Sequence, residues 1–165
     1  MKTITRSNIY LPMAAMILAA VLAVPAAAQN QVPFKGTFQG NDAIVPPATI
    51  ATTGTGVGTP VGQLSLTDVV TLTSACCGPG TGHWIAANGD SIDSTFVASA
   101  DLSTHSLGYI TVTEIHTITG GTGRFSDAHG SFTLHRTHIV TPSADGTHVT
   151  FGWFEGAITP PGAAH

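Results

Sequence analysis

From Phe34 onward, apolar residues alternate with Thr, Ser and Gly at a period of two, and no stretch holds a 3.6-residue apolar period through three turns. Period-two alternation sends successive side chains to opposite faces of a strand. It predicts strands over 34–40, 62–73, 81–87, 91–99, 106–119, 130–141 and 148–159, separated by Gly, Pro, Asn and Asp. An eighth, 43–52, is interrupted by Pro46-Pro47 and should be short or lie at an edge. Residues 54–62, rich in Gly and Thr, read as a loop, and 160–165 as a frayed, disordered tail. The pattern is all-β, a barrel or a sandwich.

Two turns predict register. Asn88-Gly89 and Asp145-Gly146 are favoured central pairs of two-residue type I′ hairpins, in which both residues take positive φ. Such turns would place Ile85 opposite Ile92, His83 opposite Ser94, Arg136 opposite Glu155 and His138 opposite Trp153.

The strand faces carry the chemistry. One face reads Leu64, Leu66, Asp68, Val70, Leu72; another Ile110, Val112, Glu114, His116, Ile118; a third Phe132, Leu134, Arg136, His138, Val140. The last strand gives Val149, Phe151, Trp153, Glu155, Ala157. Ionisable groups interrupt each apolar face near its middle. If these faces turn inward, a barrel lumen holds a few placed polar groups between apolar walls, the composition of a small-molecule site. Glu114, Arg136 and Glu155 would then form one row across three strands. The plainer alternative is a cross-strand ion-pair ladder that satisfies only its own charges.

Composition sets the compartment. The chain has 165 residues, enough for one small domain, with 8% charged residues, 25 Thr and 19 Gly. Lys2 and Arg6, the apolar run 9–24 and Ala26-Ala27-Ala28 have the three parts of a secretory signal peptide, 1–28, with cleavage before Gln29. The mature part, a barrel domain over 29–159 and the tail, would be secreted or periplasmic. Only Lys35, Arg124 and Arg136 then face all nine carboxylates, a balance that disfavours nucleic acid as a partner. Gly- and Pro-containing strands with a Thr-rich outer face also disfavour a lipid-embedded barrel. A homo-oligomer stays open.

Residues 118–134 read I-T-G-G-T-G-R-F-S-D-A-H-G-S-F-T-L. Gly120, Gly121, Thr122, Gly123, Phe125, Ala128 and Gly130 resemble the G-G-T-G-x-F-x-x-A-x-G signature of plant dirigent proteins, which allene oxide cyclases carry in a looser form. The segments F-K-G-T-F-Q-G, A-A-N-G-D and F-E-G-A-I are similar to strands of bacterial secreted proteins with an allene oxide cyclase-like barrel. The resemblance implies a single antiparallel eight-stranded β-barrel whose lumen takes an apolar organic molecule without a cofactor. Dirigent proteins steer phenoxy-radical coupling or shape a quinone methide, and allene oxide cyclases close a fatty-acid epoxide. The motif glycines are features of the fold, so no catalytic residue transfers with them. Physically, Gly120–Gly123 supplies a turn, and Phe125 should fold back as a plug on the barrel end.

Cys76 and Cys77 are adjacent in a Gly/Pro loop and favour a vicinal disulfide in an oxidising compartment. They lack the C-x-x-C spacing of a redox pair. His135 and His138 fall on opposite strand faces, so they do not chelate together; His116 and His138 share a face, but a metal needs three or four converging ligands. His105, His129, His135 and His148 read as solvent-facing. There is no G-x-S-x-G elbow for a serine hydrolase.

Three functions follow in order. The first is a lumenal binder of a small apolar organic molecule, contacted by Asp68, His116, His138, Trp153 and Phe132. The second is a cofactor-free cyclase, isomerase or stereo-directing protein, with Glu114 or Glu155 as general base and Arg136 as partner of an oxyanion. The third is an envelope protein whose barrel is simply filled.

Overall fold

The computed structural model describes residues 31–162, so the predicted signal peptide, 1–28, lies outside the described residues. Eight antiparallel strands, β1 Val32–Val45, β2 Thr49–Thr59, β3 Gly62–Thr71, β4 Cys77–Ala86, β5 Ser91–Asp101, β6 Tyr109–Gly121, β7 Gly130–Ile139 and β8 His148–Ile158, pair in chain order. Because β8 pairs back onto β1, the sheet closes into a barrel with no free edge.

The Gly/Thr stretch 54–62 is not a loop. Residues 54–59 form the second half of β2 and 60–61 the turn into β3, while β1 runs on to Val45, so that Pro46-Pro47 occupies the β1–β2 turn instead of breaking a strand. Glycine turns β2 into a strand that large neighbours can lean on: a Cβ at Gly58 would come 2.6 Å from the Phe154 ring. Phe154 and Phe38 fill the space those missing side chains leave.

Both type I′ expectations fail, with different consequences. Gly89 and Gly146 take positive φ but Asn88 and Asp145 do not. In each turn the polar side chain bonds two residues ahead instead: Asn88 Oδ1 accepts from the Asp90 N–H at 3.3 Å, and Asp145 Oδ1 from the Thr147 N–H at 3.0 Å. Longer connections result. At the first, His83 faces Asp93 rather than Ser94, and Trp84, not Ile85, faces Ile92. At the second, Arg136 faces Gly152 and His138 faces Thr150, a slip of three residues. An odd slip turns every β8 side chain over. Thr150, Phe154 and Ile158 are therefore buried, while Val149, Phe151, Trp153 and Glu155 lie outside.

The lumen divides into three levels. At one end Phe34, Leu64, Leu66, Trp84, Phe132, Leu134 and Phe154 pack as a dense aromatic and aliphatic core, with Phe34 4.9 Å from both Phe132 and Phe154. Phe125, 1% exposed on a short 3₁₀ turn, plugs that end as expected. Positive φ at Gly123 (57°) permits the turn. The Gly162 N–H, after β8, donates to the Arg124 carbonyl at that end at 2.8 Å. Residues 163–165 lie outside the described residues. The middle level is polar. The far end has only Val70, Phe96, Ala98 and Val112 in its buried cluster, with Ile50, Leu72, Ala100 and Ile110 half-buried around them.

Candidate functional site

The polar level is assembled from six of the eight strands. Asp42 comes from β1, Thr52 from β2, Asp68 from β3, Glu114 and His116 from β6, and Arg136 and His138 from β7. All seven are buried. Ser94 joins them from β5 at a register irregularity between Asp93 and Ser94, a local kink that re-aims its hydroxyl.

Arg136 is the centre. Its Nη1 donates to Asp42 Oδ1 at 3.0 Å and to Thr52 Oγ1 at 2.8 Å, and its Nη2 lies 2.8 Å from Glu114 Oε1. The last contact is an ion pair without hydrogen-bond alignment, and Arg136 Nε also has no hydrogen-bond partner among the described residues. Thr52 Oγ1 donates in turn to Asp42 Oδ1 at 2.6 Å, and His138 Nδ1 lies 2.6 Å from the other oxygen, Oδ2. Deeper in, His116 is stacked between Phe96 and Phe132, with ring centroids at 4.5 and 4.3 Å. Its Nδ1 meets Ser94 Oγ at 2.9 Å and its Nε2 meets Glu114 Oε2 at 3.3 Å. Trp84 Nε1 donates to Asp68 Oδ1 at 3.0 Å.

Two carboxyl groups thus touch the guanidinium and a third, that of Asp68, lies farther off, and the environments divide them. Burial opposes ionisation of Asp42, but the bond to His138, the charge of Arg136 and the Thr52 hydroxyl outweigh it and hold this carboxyl below its ordinary range. Asp68 meets burial first and the charge of Glu114 second, with only the Trp84 N–H and a more distant Arg136 in its favour; it is pushed up to about 8. Asp68 is therefore a neutral acid at pH 7. Burial also lowers the His116 imidazole, against the pull of Glu114, and keeps it uncharged. Arg136 pays a desolvation cost, yet Glu114, Asp42 and Asp68 raise it above its usual value and it stays protonated.

Next to this level, toward the open end of the lumen, lies a chamber of about 230 Å³. Asp42, Arg136 and His138 form its floor; Ile50, Val70, Leu72, Ala98, Ile110 and Val112 belong to its walls. Cys76, His105 and His148 also line it, the last with its ring 4.9 Å from that of His138. Cys76 and Cys77 are joined in a disulfide.

Of the residues singled out in the sequence, Glu114 and Arg136 are brought together, and Asp68, His116 and His138 lie in the same buried level. Across the Gly-rich connection Ile118 faces Gly130 and Glu114 faces Leu134, so Glu114 reaches Arg136 diagonally. Glu155 is a correction: it pairs with Thr133 and Lys35 on the outer surface and takes no part in the row. Trp153 is another, stacked on His135 at 4.1 Å outside the barrel. Phe132 is interior but belongs to the packed core, away from the chamber lining. His105 is exposed, as expected, at the rim of the chamber, whereas His148, also expected at the surface, is half-buried against it. The residue that sequence reasoning missed is Asp42, which fell between two expected strands. Its signal was present: Phe34, Gly36, Phe38, Gly40, Asp42 and Ile44 continue one period-two face straight through the supposed break.

Asp68, Glu114 and His116 each offer one atom within 4.8 Å of the others. The donor set does not fit a metal. The Arg136 guanidinium already stands against Glu114, Asp68 is a neutral acid bonded to Trp84, and both His116 nitrogens are engaged.

Fold and site together define a closed eight-stranded antiparallel barrel, solid at one end, charged across its middle and hollow at the other. Among known proteins, no family model, curated protein or solved structure matches the chain.

Proposed function

We propose that the protein is an exported barrel that holds one small, mostly apolar organic molecule in its lumen, without a cofactor, and that it is a distant member of the allene oxide cyclase-like and dirigent-like barrels. The chamber carries this reading. At about 230 Å³ it exceeds the ~150 Å³ apolar cavity that accepts benzene and falls below the ~300 Å³ at which drug-sized pockets begin. A single substituted ring or a short chain fits that interval. Apolar walls would supply the affinity, and the floor of Asp42, Arg136 and His138 the orientation. A simply filled barrel fits less well, because packing fills only the half below the polar level.

The test is mass spectrometry of the exported protein under native conditions, before and after denaturation. Wild type should release a bound molecule, and its polypeptide should begin at Gln29. Ala98→Leu, which fills the chamber from β5, should carry none and melt no lower than wild type. An empty wild type, or an Ala98→Leu protein that retains the molecule, overturns the reading.

An enzyme remains the second reading, with one observation in its favour: a carboxylate and an imidazole, 2.6 Å apart, stand together on the chamber floor. The general base would then be neither Glu155, which is outside, nor Glu114, which is tied to Arg136 and His116.

A further inference from the structure

His138 has two ring nitrogens with different surroundings. Nδ1 lies 2.6 Å from Asp42 Oδ2, and Asp42 also accepts from Arg136 and Thr52 through its other oxygen. An ionised carboxylate can only accept, so Nδ1 carries the proton. In the neutral imidazole the lone pair is then fixed on Nε2, which no described residue bonds. Orientation of an imidazole by a carboxylate, leaving the opposite nitrogen as acceptor, is the arrangement that general bases use.

We propose that Asp42 and His138 form a proton-accepting pair on the chamber floor, built to take the proton of a small weak oxygen acid, with Nε2 of His138 as acceptor and Arg136 beside the resulting anion. The inference rests on the reading of the chamber as a ligand site. In the step, the ligand O–H bond breaks, its electron pair stays on oxygen and an N–H bond forms at Nε2. The imidazolium so made is paired with Asp42, while the anion shares the chamber with the Arg136 guanidinium. No oxidant, reductant or co-reactant is needed.

The surroundings of His138 are suited to this. Asp42 faces it from β1, Arg136 lies two residues away on its own strand, and His148 stacks on it from β8. Ile110, opposite on β6, is apolar, and His105 lines the chamber from the 3₁₀ turn after β5. The nearest carboxylate is thus the one that orients the ring. Apolar walls weaken solvation of a free anion, so a ligand ionises there only if the pair takes its proton and Arg136 balances the charge.

The probe is 4-nitrophenol, a single substituted ring of the size the chamber admits, whose anion absorbs visible light where the neutral form does not. Calorimetry measures its binding; absorbance measures its ionisation when bound. At the pH where half of the free probe is ionised, the anion-to-neutral ratio of the bound probe should be about tenfold that of the free probe, the equivalent of one pK unit. His138→Gln, which can still reach Asp42, should lose the extra anion on the 4-nitrophenol that it binds. His138→Phe, which keeps a ring but no nitrogen, should behave alike, each variant being checked by its melting curve. Binding to wild type with the probe left neutral overturns the proton-accepting pair and leaves the chamber reading standing. So does extra anion that survives in either variant. Failure of wild type to bind the probe at all overturns both.

Discussion

Arg136 is the residue on which the interior depends most. It is 6% exposed and is the partner of both Asp42 and Glu114. Arg136→Met would leave these two carboxyl groups in a poor dielectric without a cation, so a loss of about 3 to 5 kcal/mol is expected in urea unfolding. Because the pairs are shielded from solvent, that loss should be nearly the same in low and high salt; a surface pair would cost only about 0.2 to 1 kcal/mol and fade with salt. Asp68 gives a prediction in pH. Its carboxyl is pushed up to about 8 in the fold, whereas in the unfolded chain it ionises near ~3.9. Between those values the folded state holds a proton that the unfolded chain has released, so stability falls as pH rises. His116, whose imidazole is lowered by burial, acts in the opposite sense but only below about 6.5. The clean window is therefore pH 6.5 to 8, where stability should decline by up to about 1.4 kcal/mol per pH unit. Asp68→Asn, which still accepts from Trp84 Nε1, should flatten that slope. Urea midpoints across the window check this, and an unchanged slope would count against a protonated Asp68.

At the level of the strands, register decides which charges are inside. β8 was legible as a strand to within a residue, yet its face was not, because Asp145 bonds the Thr147 N–H and hydroxyl instead of adopting the positive φ of a type I′ turn. Glu155 is consequently an exposed residue, and Glu155→Gln should change stability by less than about 0.5 kcal/mol. A larger loss would indicate the other register. Gly82 on β4 tests the polar level from the opposite side of the lumen. A Cβ there would stand 2.6 Å from Asp68 Oδ1 and 2.7 Å from Ser94 Oγ. Gly82→Ala should thus force Asp68 away from Trp84 and cost about 1 to 3 kcal/mol as overpacking, with a change in tryptophan fluorescence, since Trp84 is buried and loses its acceptor. The alternating runs at Leu64–Leu72, Ile110–Ile118 and Phe132–Val140 were read with the right face from sequence, because each has mostly large apolar residues on one side and Thr or Ser at half or more of the positions on the other. β2 was not, since Gly54, Gly56 and Gly58 carry no side chain to mark a face.

Over the whole molecule, closure of the sheet separates packing from function. The half that Phe125 plugs is dense with aromatic rings and makes the barrel stable; the other half, with few large side chains, leaves the chamber. The Cys76–Cys77 bond joins neighbours in sequence and so removes little freedom from the unfolded chain. Reduction should therefore shift the urea midpoint only slightly, by well under the ~2 kcal/mol of a long-loop disulfide. Any effect should instead be on occupants of the chamber, which Cys76 lines.

The sequence by itself determined the all-β class, most of the strands and that Asp68, Glu114, His116, Arg136 and His138 stand on the apolar faces of theirs. Period two is a local property, written residue by residue wherever side chains differ in polarity. What only the tertiary structure decided was contact between strands: that Asp42 closes the charge cluster from β1, 94 residues before Arg136, that Glu155 and Trp153 face out, and that His105 and His148 meet at one chamber. Those outcomes depend on turn conformations and on ring closure between β1 and β8. A slip of one or three residues leaves every local pattern intact while exchanging inside for outside, so no alternation within a single strand could have fixed them.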